Sequence, residues 1–249
     1  ELKDIFRLGA VCSFALAAYA LTLPHTPPKR RGQDWLAPLQ ALRLLRDRDF
    51  AVYMSVSLVL YMTTAMQGQV TPLLLKSLGI PDKVLAPLTT IAQSSEVLTL
   101  IFLPVIQRRL GIRGTMAMGL ISWTTGLVVY GLGQPTWLVV AAQACNGLCV
   151  VCFMVNGQVF LNSRAAGHIR ASTQSLLIFV NGVGLIGGSF VAGELRAWTA
   201  PDFAPTLLTA AGMSLALVIF FLTFFSGAQP AAAVEQPRLA YDELGDKVQ

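Results

Sequence analysis

The sequence predicts an all-α membrane protein with about seven transmembrane helices, on three observations. Mean hydropathy is +0.61. Of the 249 residues 54% are hydrophobic and only 12% are charged, against roughly a quarter in soluble domains. The apolar residues gather into seven runs, each close to the roughly 20 residues that a helix needs to cross a bilayer. The third observation is that the cations lie in the breaks between runs, where positive charge sets orientation. The formal charge of +5 therefore reads as topology, and no nucleic-acid partner is expected, since no basic surface interleaved with aromatics accompanies it.

The first run spans about Leu8 to Leu23 and stops at Pro24-His25-Thr26-Pro27-Pro28, which cannot continue a helix. A polar segment follows, from Lys29-Arg30-Arg31 through Arg43, Arg46 and Arg48. Between Asp34 and Asp49 it sets Trp35, Leu36, Leu39, Leu42 and Leu45 at helical spacings, as in a short interfacial helix. This longest internal break is the expected domain linker. The second run covers about Phe50 to Leu75, with Gln67, Gln69 and Thr71 shortly before Pro72, and ends in a polar turn from Lys76 to Lys83. The third covers about Val84 to Pro104 and is closed by the break from Gln107 to Gly114. The fourth runs from about Thr115 to Leu132 and turns at Gly133-Gln134-Pro135-Thr136. The fifth, about Trp137 to Leu161, carries Gln143, Asn146, Asn156 and Gln158. The sixth, about Ala171 to Gly193, and the seventh, about Phe203 to Phe225, complete the set. The tail from Gly227 turns acidic at Asp242, Glu243 and Asp246 and is expected to be disordered. The Arg-rich breaks follow runs one, three and five, so the start lies outside and the tail inside. The opening Glu1-Leu2-Lys3-Asp4 is no signal-peptide n-region and reads as part of a longer protein.

The third run carries the expected site. Glu96 is its only charge, and a carboxylate at mid-membrane depth costs about 2.5–3.5 kcal/mol or more unless it faces a protein interior or a wet cavity. Gln93 precedes it by three residues and Thr89 precedes Gln93 by four, so the three share one helical face. The face reads as one wall of a polar cavity, which points to transport. The competing reading makes Glu96 a structural partner for an arginine or a backbone group. Gln67, Gln69 and Asn146 either line the same cavity or hydrogen-bond between helices, and Asn156, nearer the inner end, reads as structural. Arg108, Arg109 and Arg113 serve as an orientation signal, and in a rocking carrier such cations also cap helix C-termini and hold inner gates shut.

Cys12, Cys145, Cys149 and Cys152 lie inside apolar runs and read as small buried side chains; no convergent ligands accompany them, so no metal is expected. His25 and His168 fall in loops as solvated surface. The segment Asn181-Gly182-Val183-Gly184-Leu185-Ile186-Gly187 matches G-x-G-x-x-G but sits in an apolar span without the preceding strand, so a dinucleotide site is rejected. Gly184 and Gly188, four apart, read instead as a small-residue face where two helices approach. Asn181 beside them makes either a packing hydrogen bond or a cavity contact. No G-x-S-x-G, H-E-x-x-H or paired nucleophile and base is present, so neither an enzyme nor a cofactor is expected.

Leu23-Pro24-His25-Thr26-Pro27-Pro28 at a span end, Gln93-Ser94-Ser95-Glu96, Arg109-Leu110-Gly111-Ile112-Arg113, and Ile169-Arg170-Ala171-Ser172-Thr173-Gln174 with Asn181-Gly182-Val183-Gly184 follow in an order and spacing that resembles the nucleoside:proton symporters of the major facilitator superfamily. The resemblance covers nearly all 249 residues. It implies twelve helices in two halves, of which this chain supplies the sixth helix (1–28), the cytoplasmic central loop (29–49), the second six-helix bundle (50–226) and a cytoplasmic tail (227–249). It further implies secondary active transport of a nucleoside such as uridine or adenosine by alternating access with a proton, in the bacterial inner membrane, among membrane lipids, with the missing N-terminal half as partner. Without that half the chain is expected not to transport.

By residue, the resemblance implies that Gln93 and Glu96 hydrogen-bond the ribose hydroxyls, since a carboxylate accepts from both hydroxyls of a vicinal diol. Glu96 doubles as the proton-coupling group, and Gln67, Gln69 and Asn146 complete the substrate-binding set. One departure stands out. Where the symporters carry a tyrosine, then a phenylalanine followed by an aspartate in the tenth helix, this sequence has Asn146, Val150 and Val151. Coupling through Glu96 alone, a different coupling, or another substrate would each accommodate that loss. The alternatives to a nucleoside carrier are a facilitator for a sugar or drug, with Glu96 serving only protonation, and a seven-helix receptor-like protein. A retinal protein would need a lysine in the last span, and Phe203 to Phe225 has none.

Overall fold

A bilayer core holds no water to serve backbone N–H and C=O groups, so a spanning segment satisfies them within a helix, and each apolar run of this sequence is helical. The structure, a computed structural model, describes residues 2–22, 42–165 and 169–227, apart from the side chains of residues 2–5, 82 and 86. His25, His168, the segment around Lys29-Arg30-Arg31 and the tail beyond Gly227 lie outside the described residues, as does most of the expected interfacial helix. Of that helix, only its end is described, where Leu44–Arg46 forms one 3-10 turn.

The chain divides into two compact units, Glu1–Asp34 and Trp35–Gln249. The first contains α1 (Leu2–Leu21), whose apolar stretch Phe6–Leu21 is shorter than the other spans. The second contains α2 (Arg48–Ser77), α3 (Asp82–Leu132), α4 (Thr136–Arg164), α5 (Arg170–Thr199) and α6 (Ala204–Phe224). Among the described residues, five helices are long and apolar enough to cross a membrane. One of the five is double. The sequence places a polar break from Gln107 to Gly114 between its third and fourth runs, yet helix continues through that break except at Gly111, whose φ of 67° and ψ of 177° are non-helical. The correction is physical: glycine alone adopts that backbone region cheaply, so one residue suffices where a loop was expected.

Contacts along α4 show what the Gly111 kink achieves. In the first limb, residues 82–110, the Ser95 hydroxyl reaches the Ala144 carbonyl at 2.8 Å and Gln107 Nε2 donates to Asn156 Oδ1 at 3.3 Å, so this limb climbs α4 in parallel. In the second limb, residues 112–132, Gly119 faces Cys152 and Phe153 while Gly126 faces Cys145, the opposite order. The chain therefore reverses at Gly111, and both limbs flank α4. A π-helical segment, Val150–Val155, interrupts α4. Such segments are usually single turns inserted into α-helices, often beside functional positions.

Close backbone approach fixes the other pairings. A Cβ on Gly184 would collide with the Leu58 carbonyl oxygen, and one on Gly188 with that of Met62, so the small-residue face of α5 lies against α2. The core between helices is aromatic towards the Arg48 end, where the Tyr53 and Phe153 ring centroids are 5.5 Å apart and those of Phe160 and Phe225 5.2 Å. Polar seams cross it: Trp123 Nε1 donates to Thr63 Oγ1 at 3.0 Å, and the hydroxyls of Thr124 and Ser214 lie 2.7 Å apart.

The Arg48 end is knotted by charge. Asp47 caps α2 by accepting from the Phe50 N–H at 3.0 Å. Asp49, 4% exposed, accepts from the Ser226 N–H and hydroxyl at 2.8 and 2.7 Å and from the Gly227 N–H at 3.1 Å. Arg164, ending α4, donates to Asp47 at 2.5 Å and to Asp49 at 3.2 Å. Arg113 donates to the Leu222 carbonyl at the end of α6, as a cation at a helix C-terminus should.

Candidate functional site

Three helices bring polar side chains together in the half of the bundle away from Arg48. Gln67 and Thr71 are four residues apart on α2 and share a face, as do Gln143 and Asn146, three apart on α4. Thr89 adds a hydroxyl from the first limb of α3. These five, with Gly68, Pro72, Leu75 and Leu85, line a cavity of about 220 Å³. Three of the polar residues are buried: Gln67 is 7% exposed, Thr71 3% and Gln143 6%. Thr71 Oγ1 is shut off from solvent and has no hydrogen-bond partner, a condition that costs roughly 1–3 kcal/mol in a protein interior. A cavity so lined is polar enough to hold water or a polar solute.

The expected residues divide between this cavity and the face beside it. Gln67 and Asn146 line the cavity, whereas Gln69 is exposed and does not. Glu96 is half-buried and Gln93 is exposed, and neither lines it. Thr89 links the two groups, because Gln93 lies about 6 Å further along the helix axis and Glu96 about 10 Å further at 1.5 Å per residue. The turn bearing Glu96 is held hard against α4. A Cβ on Gly147 would strike the Ser95 hydroxyl, the Ala92 carbonyl and, at 2.6 Å, the Glu96 backbone nitrogen. The Ser95 hydroxyl lies within donating distance of the Ala92 and Ala144 carbonyls, at 2.9 and 2.8 Å, and shares its one proton between them. The height of Glu96 relative to α4 is thus set by backbone contact rather than by its own side chain.

Thr71 and Gln143 were legible as polar residues in apolar runs, and their spacings to Gln67 and Asn146 are the signal that could have added them to the site. Val151, where the resemblance leads one to look for an aspartate, is buried in the π-helical segment of α4. The expected gating residues Arg108, Arg109 and Arg113 are exposed near the Gly111 kink. Arg108 borders an open cavity of about 430 Å³ together with Gln107 and Gly227. Asn156, read as structural, is buried and accepts from Gln107, while its Nδ2 has no partner. Cys149 and Cys152 are buried, Cys145 is partly so and Cys12 is exposed. Among the described residues, no group of three His, Cys, Asp or Glu is placed to hold a metal.

Comparison with known proteins gives a consistent picture. The model of the family described as nucleoside H+ symporter matches residues 2–229. The nucleoside permease NupG of Escherichia coli is 28% identical over 241 residues, which are 88% of this chain and 57% of that protein. The xanthosine permease of the same organism is 28% identical over 247 residues, 90% of this chain and 59% of that one. The chain thus spans rather more than half the length of the relatives it matches. Among solved structures, an aspartate-to-alanine mutant of the nucleoside transporter NupG superposes with a TM-score of 0.73 at 24% identity, covering 88% of this chain and 60% of the other. NupG without that mutation gives 0.68.

Proposed function

This chain belongs to the nucleoside H+ symporter family, and from that premise we propose that it forms the second half of a proton-coupled nucleoside carrier that binds substrate at Glu96. The fold is the all-helical membrane fold of a major facilitator transporter, and the protein is a transporter of the cell membrane, not an enzyme. The observation that carries the proposal is the placement of Glu96: a lone, half-buried carboxylate in an apolar helix, one turn past Gln93 and two past the cavity wall at Thr89. An ionised carboxylate accepts two hydroxyl donors at once, which suits the vicinal diol of a ribose. Gln93 adds a donor and an acceptor on the same face. Protonation converts Glu96 to a group that both donates and accepts, so substrate affinity and proton occupancy are linked at one atom pair.

In the domain arrangement proposed here, residues 1–28 are the last helix of the first half and 29–49 the cytoplasmic central loop. Residues 50–226 form the second bundle, and 227–249 a cytoplasmic tail. The Arg48 end then faces the cytoplasm of a bacterial inner membrane, as its cations favour, and Arg108, Arg109 and Arg113 stand at the inner gate. Relatives about one and a half times as long support a first half that covers the exposed side of Gln69, Gln93 and Glu96 and completes the path between two rocking bundles. Lipid surrounds the remainder.

Uptake of labelled uridine and adenosine by the full-length carrier, in cells lacking their own nucleoside transport, tests the proposal. Protonophore-sensitive uptake that falls at least about tenfold in Glu96→Gln is the expected result, in line with the loss of a charge-assisted hydrogen bond. Uptake indifferent to the protonophore would remove the coupling role and leave a facilitator without the tenth-helix carboxylate. Absence of uptake for either nucleoside would remove the substrate reading altogether.

A further inference from the structure

Resting on the nucleoside reading above, we propose that the cavity between α2, α4 and the first limb of α3 is the nucleobase subsite, and that Thr71 and Gln143 determine which base the carrier prefers. Neither residue belongs to the set expected from the sequence. The cavity has two kinds of wall. Pro72, Leu75 and Leu85 offer apolar surface, which suits the faces of a flat heterocycle. Lining the same cavity are the amides of Gln67, Gln143 and Asn146 and the hydroxyl of Thr71. Each amide presents two donors and an acceptor, the alternation that the edge of a pyrimidine or purine presents in return.

Two further features show hydrogen-bonding capacity at this wall that the protein itself leaves unspent. Thr71 Oγ1 is buried without a partner. In addition, Pro72 lies inside α2 and has no N–H to give the Gly68 carbonyl four residues earlier. Gly68 also lines the cavity, and a side chain there would meet no atom within 4 Å, so the cavity stays wide at that turn. The volume of about 220 Å³ exceeds what one or two waters require at roughly 30 Å³ each. The cavity also lies within a nucleoside's reach of Glu96. Thr89 on the wall is seven residues before Glu96, about 10 Å along the helix, so a nucleoside held by its ribose at Glu96 can extend its base towards Gln143. Pockets of this composition fix a ligand's orientation with a few polar groups on an otherwise apolar lining, and polar groups built to be paired reject analogues that leave them unpaired.

The test compares uptake efficiency, kcat/KM, of uridine, adenosine and 2′-deoxyuridine by the full-length carrier as wild type, Thr71→Val and Gln143→Met, both near-isosteric changes. The expected result is a tenfold or greater change in the uridine-to-adenosine ratio in each variant, with the penalty for the missing 2′-hydroxyl unchanged. Glu96→Gln serves as the contrast: it lowers both nucleosides together and alters the 2′-hydroxyl penalty. If Gln143→Met does not reach the membrane, Thr71→Val decides, because removing an unpaired hydroxyl carries no folding cost. Base ratios that stay at the wild-type value, or that fall in parallel with the deoxy analogue, overturn the base subsite while leaving the carrier reading intact. Lack of any nucleoside uptake by the wild type overturns both.

Discussion

Gly147 shows how a residue without a side chain can hold the proposed substrate carboxylate, Glu96, in place. Its missing Cβ is the space in which Ala92, Ser95 and the Glu96 nitrogen meet α4. Gly147→Ala forces these helices apart, and overpacking a tight contact of this kind costs about 1–3 kcal/mol. We expect a lower unfolding midpoint in detergent and weaker uptake, with uridine and adenosine affected alike if Glu96 binds both as proposed. An alanine variant as stable and active as wild type would show that α3 and α4 do not meet this closely. Glu96 itself was legible from the sequence, because a lone carboxylate in an apolar run has few explanations. Gly147 was not, since a glycine in a membrane helix looks the same whether or not a neighbour fills its space.

At the scale of elements, α3 turns on Gly111. A φ of 67° with a ψ of 177° lies in a region open essentially to glycine. A Cβ there would meet nothing within 4 Å, so substitution acts through the backbone alone. Gly111→Ala is accordingly expected to destabilise the fold by roughly 1–3 kcal/mol, measured by chemical unfolding in detergent. An unchanged midpoint would mean that the limbs reverse by some other route. The sequence did locate a break here, from its arginines and from Gly111 and Gly114, but spread it over eight positions from Gln107 to Gly114. Polar residues permit a helix at a membrane surface as readily as they permit a loop, and composition does not separate the two.

For the bundle as a whole, the ties at the Arg48 end join three helices that lie far apart in sequence. Asp49 on α2 receives the backbone of Ser226 and Gly227 after α6 and the guanidinium of Arg164 ending α4. Removing one partner of a buried ion pair costs about 3–5 kcal/mol, and Asp49→Ala should fall near 3 because Asp47 retains Arg164 at 2.5 Å. The loss should appear as reduced thermal stability of the full-length protein and as faster proteolysis after Phe225. A variant with wild-type stability would show that the knot is incidental to the fold.

The sequence by itself determined the membrane class, the number of the helical runs and their limits to within about six residues, the close face at Gly184 and Gly188, and the singular position of Glu96. These follow from hydropathy and a 3.6-residue period, which are local properties. Only the tertiary structure decided which polar residues meet. Gln67 and Gln69 look equivalent in sequence, yet they point roughly 200° apart around α2, and one lines the cavity while the other is exposed. The rotation that selects Gln67 is set by backbone contact at Leu58 and Met62 with α5. The cavity partners Thr71, Gln143 and Asn146 assemble only after α3 has reversed at Gly111 and been pressed onto α4. The first event depends on a backbone conformation open to Gly111 and the second on what stands opposite Gly147, and neither is marked by the glycine's neighbours in the chain.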